Sequence, residues 1–396
     1  MVTGRDYNDR TNSINEGSIK NINDGLITVE HGATLVNLNS IAGSDRSSLR
    51  NDGTVLNSGS IFLHDQSIFH NFGTVQNSGT LYLQDTAVLI NHADLINQDN
   101  GNISIGGSAV FINQGGSIKN FGQIELNGAL LRNFDGGRLI VMPTGSVTGG
   151  QFIQQSGAST TVAGSMNLGI MRIDGGDVEI DASGKVNSRF GVIFDSPGGT
   201  LTVNGTLSTT GGGLAAVQVV NGTLKGSGLI QGAGLQMGDI GLHSPSNAFL
   251  RPGNSPGTLT IEGTLVMGAG AELDLEIALD SAGHLVWDHV VASHMSFLAG
   301  STVRFSVGAG VSNLNPGTLN FLSCGSGCDF ASDVNWAVDG APGASFSFSS
   351  TGLQLKLPMT AAVPEPETWA LMAGGLLALG YLARRRGGLN GSRARG

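Results

Sequence analysis

The feature that most constrains this chain is a repeat of about twenty residues. Residues 49–68, LRNDGTVLNSGSIFLHDQSI, and 69–88, FHNFGTVQNSGTLYLQDTAV, align position for position, and 89–110, 111–130 and, less closely, 131–150 follow. The shared pattern is Φ-x-N-x-G-x-Φ-x-N-x-G-x-Φ-x-Φ, with Φ apolar. Stacked on one another, the units give apolar columns: Leu49, Phe69, Leu89, Phe111, Leu131; Val55, Val75, Leu95, Ile118; and Ile61, Leu81, Ile103, Ile124. Within a unit the apolar residues alternate with others, which is the period of a strand. One such unit cannot bury its apolar face alone. Stacking successive units buries a continuous core and pairs each strand with its equivalent in the next coil.

The expected fold is therefore all-β: a parallel β-helix, or β-solenoid, of about twenty residues per coil, right-handed as parallel crossovers are. Asn15, Asn37, Asn51, Asn71, Asn91, Asn113 and Asn133 recur at spacings of 22, 14, 20, 20, 22 and 20, which predicts one short early coil. Equivalent asparagines should stack into a hydrogen-bonded ladder. The Asn-x-Gly steps are expected to supply left-handed backbone positions. After residue 150 the rhythm weakens but persists in Gly199–Val203, Asn221–Leu224 and Gly257–Ile261. The expected organisation is an unstructured segment 1–12, a solenoid over 13–265 of on the order of a dozen coils, and a separate β cap over 266–358. A linker 359–367, an apolar membrane-crossing helix with its arginines over 368–386, and a tail 387–396 complete it.

Composition narrows the function classes. The chain has 20 Lys and Arg against 30 Asp and Glu, and five of the bases lie after the last apolar run, so residues 1–367 carry a net charge of −15. Nucleic-acid binding needs clustered bases, and this body excludes it. Two cysteines, Cys324 and Cys328, stand in Cys-Gly-Ser-Gly-Cys, which reads as a small disulfide loop in an oxidising compartment. A zinc site would need two further ligands. Residues 1–12 lack an apolar run and are not expected to be an export signal, so either translation starts upstream of this Met or the chain is a fragment.

Glu272, Asp274 and Glu276 alternate with Leu273, Leu275 and Ile277 and should share one solvated strand face. Asp177, Glu179 and Asp181 follow Gly175-Gly176 without the tandem recurrence that calcium-binding nonapeptides need. His284, Asp288, His289 and His294 are close in sequence but lack metal-ligand spacing. No catalytic residue, metal site or cofactor is assigned.

The C-terminus has a different character. Residues 363–386 read VPEPETWALMAGGLLALGYLARRR, with 16 uncharged residues between Glu367 and Arg384. As a helix that run spans about 24 Å, with Trp369 and Tyr381 at the interfaces and Arg384, Arg385 and Arg386 as a cytoplasmic stop-transfer cluster. Val363-Pro364-Glu365-Pro366, the apolar run and the triple arginine, in this order, resemble the PEP-CTERM sorting signal of Gram-negative bacteria. That resemblance implies an exosortase, a membrane protease, as partner, with release or transfer of the body to the envelope or an exopolysaccharide matrix. Arg251-Pro-Gly-Asn-Ser-Pro-Gly257 resembles a junction common in autotransporter-type β-helical passengers. The expected function is an exported structural or adhesive protein of the cell surface or extracellular matrix, not an enzyme. It would be localised to the envelope by way of an inner-membrane intermediate. The alternatives are a polysaccharide-active β-helix enzyme, which would show a groove with converging acids and bases, and a permanently membrane-anchored protein.

Overall fold

In a computed structural model, the structure describes residues 26–357 apart from 212–216, 242–245, 254–255, 312–317 and 342. It also describes short strands between residues 2 and 21 and helical residues at 371–372 and 374–381. The body is a parallel β-solenoid. Strands Ser48–Asn51, Ile68–Asn71, Val88–Asn91, Val110–Gln114 and Leu130–Phe134 pair in register, which aligns Leu49, Phe69, Leu89, Phe111 and Leu131. The columns through Val55 and Ile61 pair equally directly, as Val55↔Val75↔Leu95↔Ile118 and Ile61↔Leu81↔Ile103↔Ile124. All of these side chains are buried. Leucine and phenylalanine alternate along the first column, so bulky rings do not stack on successive coils only a strand spacing apart.

Two asparagine ladders run through the coils, not one. Asn51, Asn71, Asn91, Asn113 and Asn133 are joined Nδ2 to Oδ1 at 2.7–2.8 Å, and Gln154 ends the series at 3.1 Å. Asn37, Asn57, Asn77, Asn97 and Asn120 form the second, at 2.6–2.8 Å. The spacing of 14 that predicts a short coil is a step between these ladders: Asn15 and Asn37 pair with each other and lie in line with Asn57. Each asparagine also donates to a backbone carbonyl of the next coil, as Asn51 does to Thr74 at 3.1 Å. Buried amides are thus satisfied coil to coil.

The glycines of the Asn-x-Gly steps act otherwise than expected. Gly53, Gly59, Gly73 and Gly79 are not left-handed; a Cβ at Gly73 would collide with the carbonyl of Gly53 in the preceding coil, and one at Gly79 with that of Gly59. The left-handed positions fall instead on Asp45, Asp65 and Asp85, with φ of 57°, 55° and 61°. The Asp65 carboxylate accepts the backbone N–H of Asp45 at 3.1 Å, and Asp85 does the same for Asp65 at 3.3 Å.

Two boundaries differ from expectation. Val2–Thr3 and Asp6–Asp9 are strands, paired in parallel with Ser18–Asn21 and Leu26–Val29, so the solenoid reaches into the segment expected to be unstructured. At the other end, parallel rungs continue past residue 265 through Ala271–Leu279, Thr302–Val307 and Asn335–Asp339. The expected cap shrinks to Ser345–Ser349 and Gly352–Lys356, an antiparallel pair added to Thr318–Cys324. One hairpin interrupts the stack, where Leu285–Trp287 folds back antiparallel on Ala271–Leu279.

Candidate functional site

Acids and bases converge around a cavity on the outer side of the late coils, beside that hairpin. Parallel register places Lys225 beside Arg251. One coil on, the Arg251 Nε lies 3.4 Å from the Asp274 carboxylate. Ser306, on the next rung, donates to Asp274 at 3.3 Å. These residues, with Pro252, Gly253, Glu276 and Asp288, line a cavity of about 540 Å³. Glu272, Asp274 and Glu276 do share one face, between the buried Leu273, Leu275 and Ile277. Arg304 binds Glu272 at 2.8 Å and Asp339 at 2.8 Å on its flank.

Asp288 is 3% exposed. It follows strand Leu285–Trp287, and its two oxygens accept the backbone N–H groups of Gly257 and Glu276, each at 2.8 Å. The carboxyl therefore ties the end of the Arg251–Gly257 segment to the strand that carries the acids. Burial pushes its pKa up to about 6, with the charges of Glu276 and Asp274 adding to the rise and the two N–H groups opposing it. Gly253 is left-handed at φ 84°, and a Cβ there would strike the backbone of Gly257 and the Asp288 carboxylate.

The histidines do not converge. His284 sits at the hairpin turn, 3.2 Å from Asp280; the His289 Nε2 lies 2.9 Å from the Ser323 hydroxyl; His294 lies 3.2 Å from Asp329. Among the described residues no group of His, Cys, Asp and Glu is arranged to hold a metal ion. Asp177 and Glu179 point outward from their strand. Cys324 and Cys328 are joined in a disulfide, Cα atoms 5.6 Å apart. The bridge closes a bulge, because Cys324 and Cys328 pair with Ala292 and Met295 of the same strand.

In the C-terminal segment, Val363, Pro364, Glu365, Pro366, Arg384, Arg385 and Arg386 lie outside the described residues. Helical residues 371–372 and 374–381 expose Leu371, Met372, Leu376, Leu377, Leu379 and Tyr381. Among the described residues no helix is long and apolar enough to cross a membrane, and the membrane-crossing helix expected over 368–386 falls in part on 368–370, 373 and 382–386, which lie outside the described residues.

Residues 362–386 match the family model described as the PEP-CTERM protein-sorting motif. The chain carries that sorting motif. The PEP-CTERM motif implies export across the inner membrane and processing by an exosortase, a membrane protease. No curated protein sequence matches the chain. Among solved structures, the TibC-catalyzed hyper-glycosylated TibA fragment aligns over 84% of this chain and 99% of its own, with 13% identity and a TM-score of 0.30. At that score the likeness carries no argument, and the solenoid assignment rests on the strand pairing itself.

Proposed function

We propose that this PEP-CTERM protein is an exported structural or adhesive component of the cell surface or extracellular matrix, with an exopolysaccharide among its partners. The observation that carries the proposal is the sorting motif at 362–386 behind a long repetitive body. In this reading Val363, Pro364, Glu365 and Pro366 form the segment offered to the exosortase. Pro364 and Pro366 have φ fixed near −65° and no amide donor, so the segment favours an extended, unpaired backbone that a protease cleft can accept. The apolar run that follows holds it at the membrane. Arg384, Arg385 and Arg386 halt translocation, since carrying each across the bilayer centre costs about 2.5–3.5 kcal/mol on insertion scales.

The body is a scaffold in this reading and not a catalyst. Supporting this, the most buried carboxylate of the polar cleft, Asp288, is held by two backbone N–H groups. The test replaces Pro364, Glu365 and Pro366 with Ala in the native host and follows the body by fractionation and immunoblot. Full-length protein should accumulate in the inner membrane. Release of a shortened body at the unaltered rate would refute the sorting role.

A further inference from the structure

The polar cleft beside the hairpin has a lining that limits what can occupy it. Lys225 and Arg251 offer only hydrogen-bond donors, whereas Asp274, Glu276 and Asp288, when ionised, offer only acceptors. A small anion entering to meet the two cations also meets three carboxyl groups, and a small cation meets Lys225 and Arg251. Hydroxyl groups both donate and accept, so a hydroxyl-rich neutral molecule satisfies both kinds of lining at once. The volume of about 540 Å³ lies within the range of small-molecule sites.

The groups are also unequally committed. Arg251 is shared between Asp274 and the face of Phe249, whose ring centre is 5.2 Å from the guanidinium carbon. Asp288 is held by backbone. Lys225 is exposed, and among the described residues its ammonium has no hydrogen-bond or ion-pair partner. A donor at the rim is thus open to a ligand, while the floor is fixed in advance, an arrangement that keeps the ordering cost of binding low.

We propose that this cleft is a glycan-binding subsite that takes an uncharged, hydroxyl-rich sugar unit, with Lys225 and Glu276 contacting its hydroxyls. The inference deepens the surface-protein reading, on which it rests for the source of the sugar. It concerns binding alone and invokes no bond cleavage.

The experiment presents the purified full chain, wild type and the variants K225A and E276Q, to an immobilised panel of neutral, acidic and amino sugars. Titration calorimetry with the best-retained glycan follows. Neutral glycans should be retained, and each variant should weaken binding by about tenfold or more, the usual effect of losing a hydrogen bond to a charged group. Among the described residues the Lys225 ammonium holds no partner, and alanine keeps the backbone pairing of its strand, so K225A should keep the wild-type circular dichroism. Retention of no glycan by the wild type, preference for acidic or cationic sugars, or unchanged affinity in both variants would each overturn the assignment. A body that is normally processed in its host but retains no glycan would sink this inference and leave the sorting role standing.

Discussion

Replacing Asn71 with Ala tests whether the asparagine ladders hold the coils together. Asn71 is fully buried. It accepts from the Asn51 amide at 2.7 Å, donates to the Asn91 Oδ1 at 2.7 Å and donates to the Asp94 carbonyl at 3.0 Å. Alanine removes all three bonds. Asn51 keeps its bond to the Thr74 carbonyl, but the Asn91 Oδ1 loses its ladder donor. Three bonds at about 1 kcal/mol each, with about 1–2 kcal/mol for the buried acceptor left without its donor, give a loss of about 4–5 kcal/mol. Asn71→Asp should cost more at neutral pH, because it sets a buried carboxylate oxygen against the Asn91 acceptor. The control is Gln76→Ala, at a half-buried position whose amide only accepts a 3.4 Å contact from Gln98; it should lie within about 0.5 kcal/mol of wild type. Urea denaturation followed by far-UV circular dichroism measures the difference. Of the three tryptophans, Trp287 and Trp336 sit in the last coils, so fluorescence separately reports whether the far end unfolds with the rest. Long repeat arrays can lose that cooperativity. A cost below about 1 kcal/mol for Asn71→Ala would mean that the ladder satisfies its own amides without tying the coils together.

Gly73→Ala should destabilise by about 2 kcal/mol or more in the same assay, since its Cβ meets backbone that cannot swing aside; a neutral result would mean that the coils can separate freely there. Asp288 titrates near 6 in the fold against 3.8 unfolded, so the folded state binds the extra proton. Its contribution to stability is fully present below pH 3.8 and is lost as pH rises through 6, amounting to about 3 kcal/mol. The change in urea midpoint between pH 7 and pH 5 should therefore be smaller in Asp288→Asn than in wild type, and an equal change would refute the assignment. The joined Cys324 and Cys328 should resist alkylation under denaturing, non-reducing conditions; mass spectrometry finding two labelled thiols would count against the bridge.

The columns through Leu49, Val55 and Ile61 were legible in the sequence because each coil there repeats at 20–23 residues, and the pairing matches them residue for residue. The asparagines misled because two ladders share one residue type within each unit, so the step from Asn37 to Asn51 passes between ladders and looks like a short coil. The Gly73 backbone approach could not be read from local sequence at all, since the carbonyl it would strike belongs to Gly53 of the coil before. The end of the solenoid was missed for a related reason. Leu224, Leu250, Leu273, Val303 and Trp336 occupy successive rungs but are separated by 26, 23, 30 and 33 residues, so inserted turns and a hairpin hide the column. The sorting tail needed no fold to be read, because its signal is a linear order of residues.

The same irregularity bears on where chemistry can reside in such a molecule. In the regular coils each outward residue is followed by its equivalent one strand spacing away, so a surface built from them recurs along the axis and favours extended, repetitive contacts. A single enclosed site needs residues that the repeat does not supply. The hairpin Ala271–Leu279 with Leu285–Trp287 provides them: it brings Asp288 back to the backbone N–H groups of Gly257 and Glu276, where it lines the same cavity as Asp274. Burying Asp288 beside two other carboxyl groups opposes its ionisation, a cost that a purely apolar filling of the same space would avoid. Local departures of this kind are expected where a fold serves something other than its own stability. The hairpin falls in the 30-residue step from Leu273 to Val303, so that departure from the repeat and the cleft with converging charges are two aspects of the same event, the insertion of a hairpin between successive rungs of a solenoid.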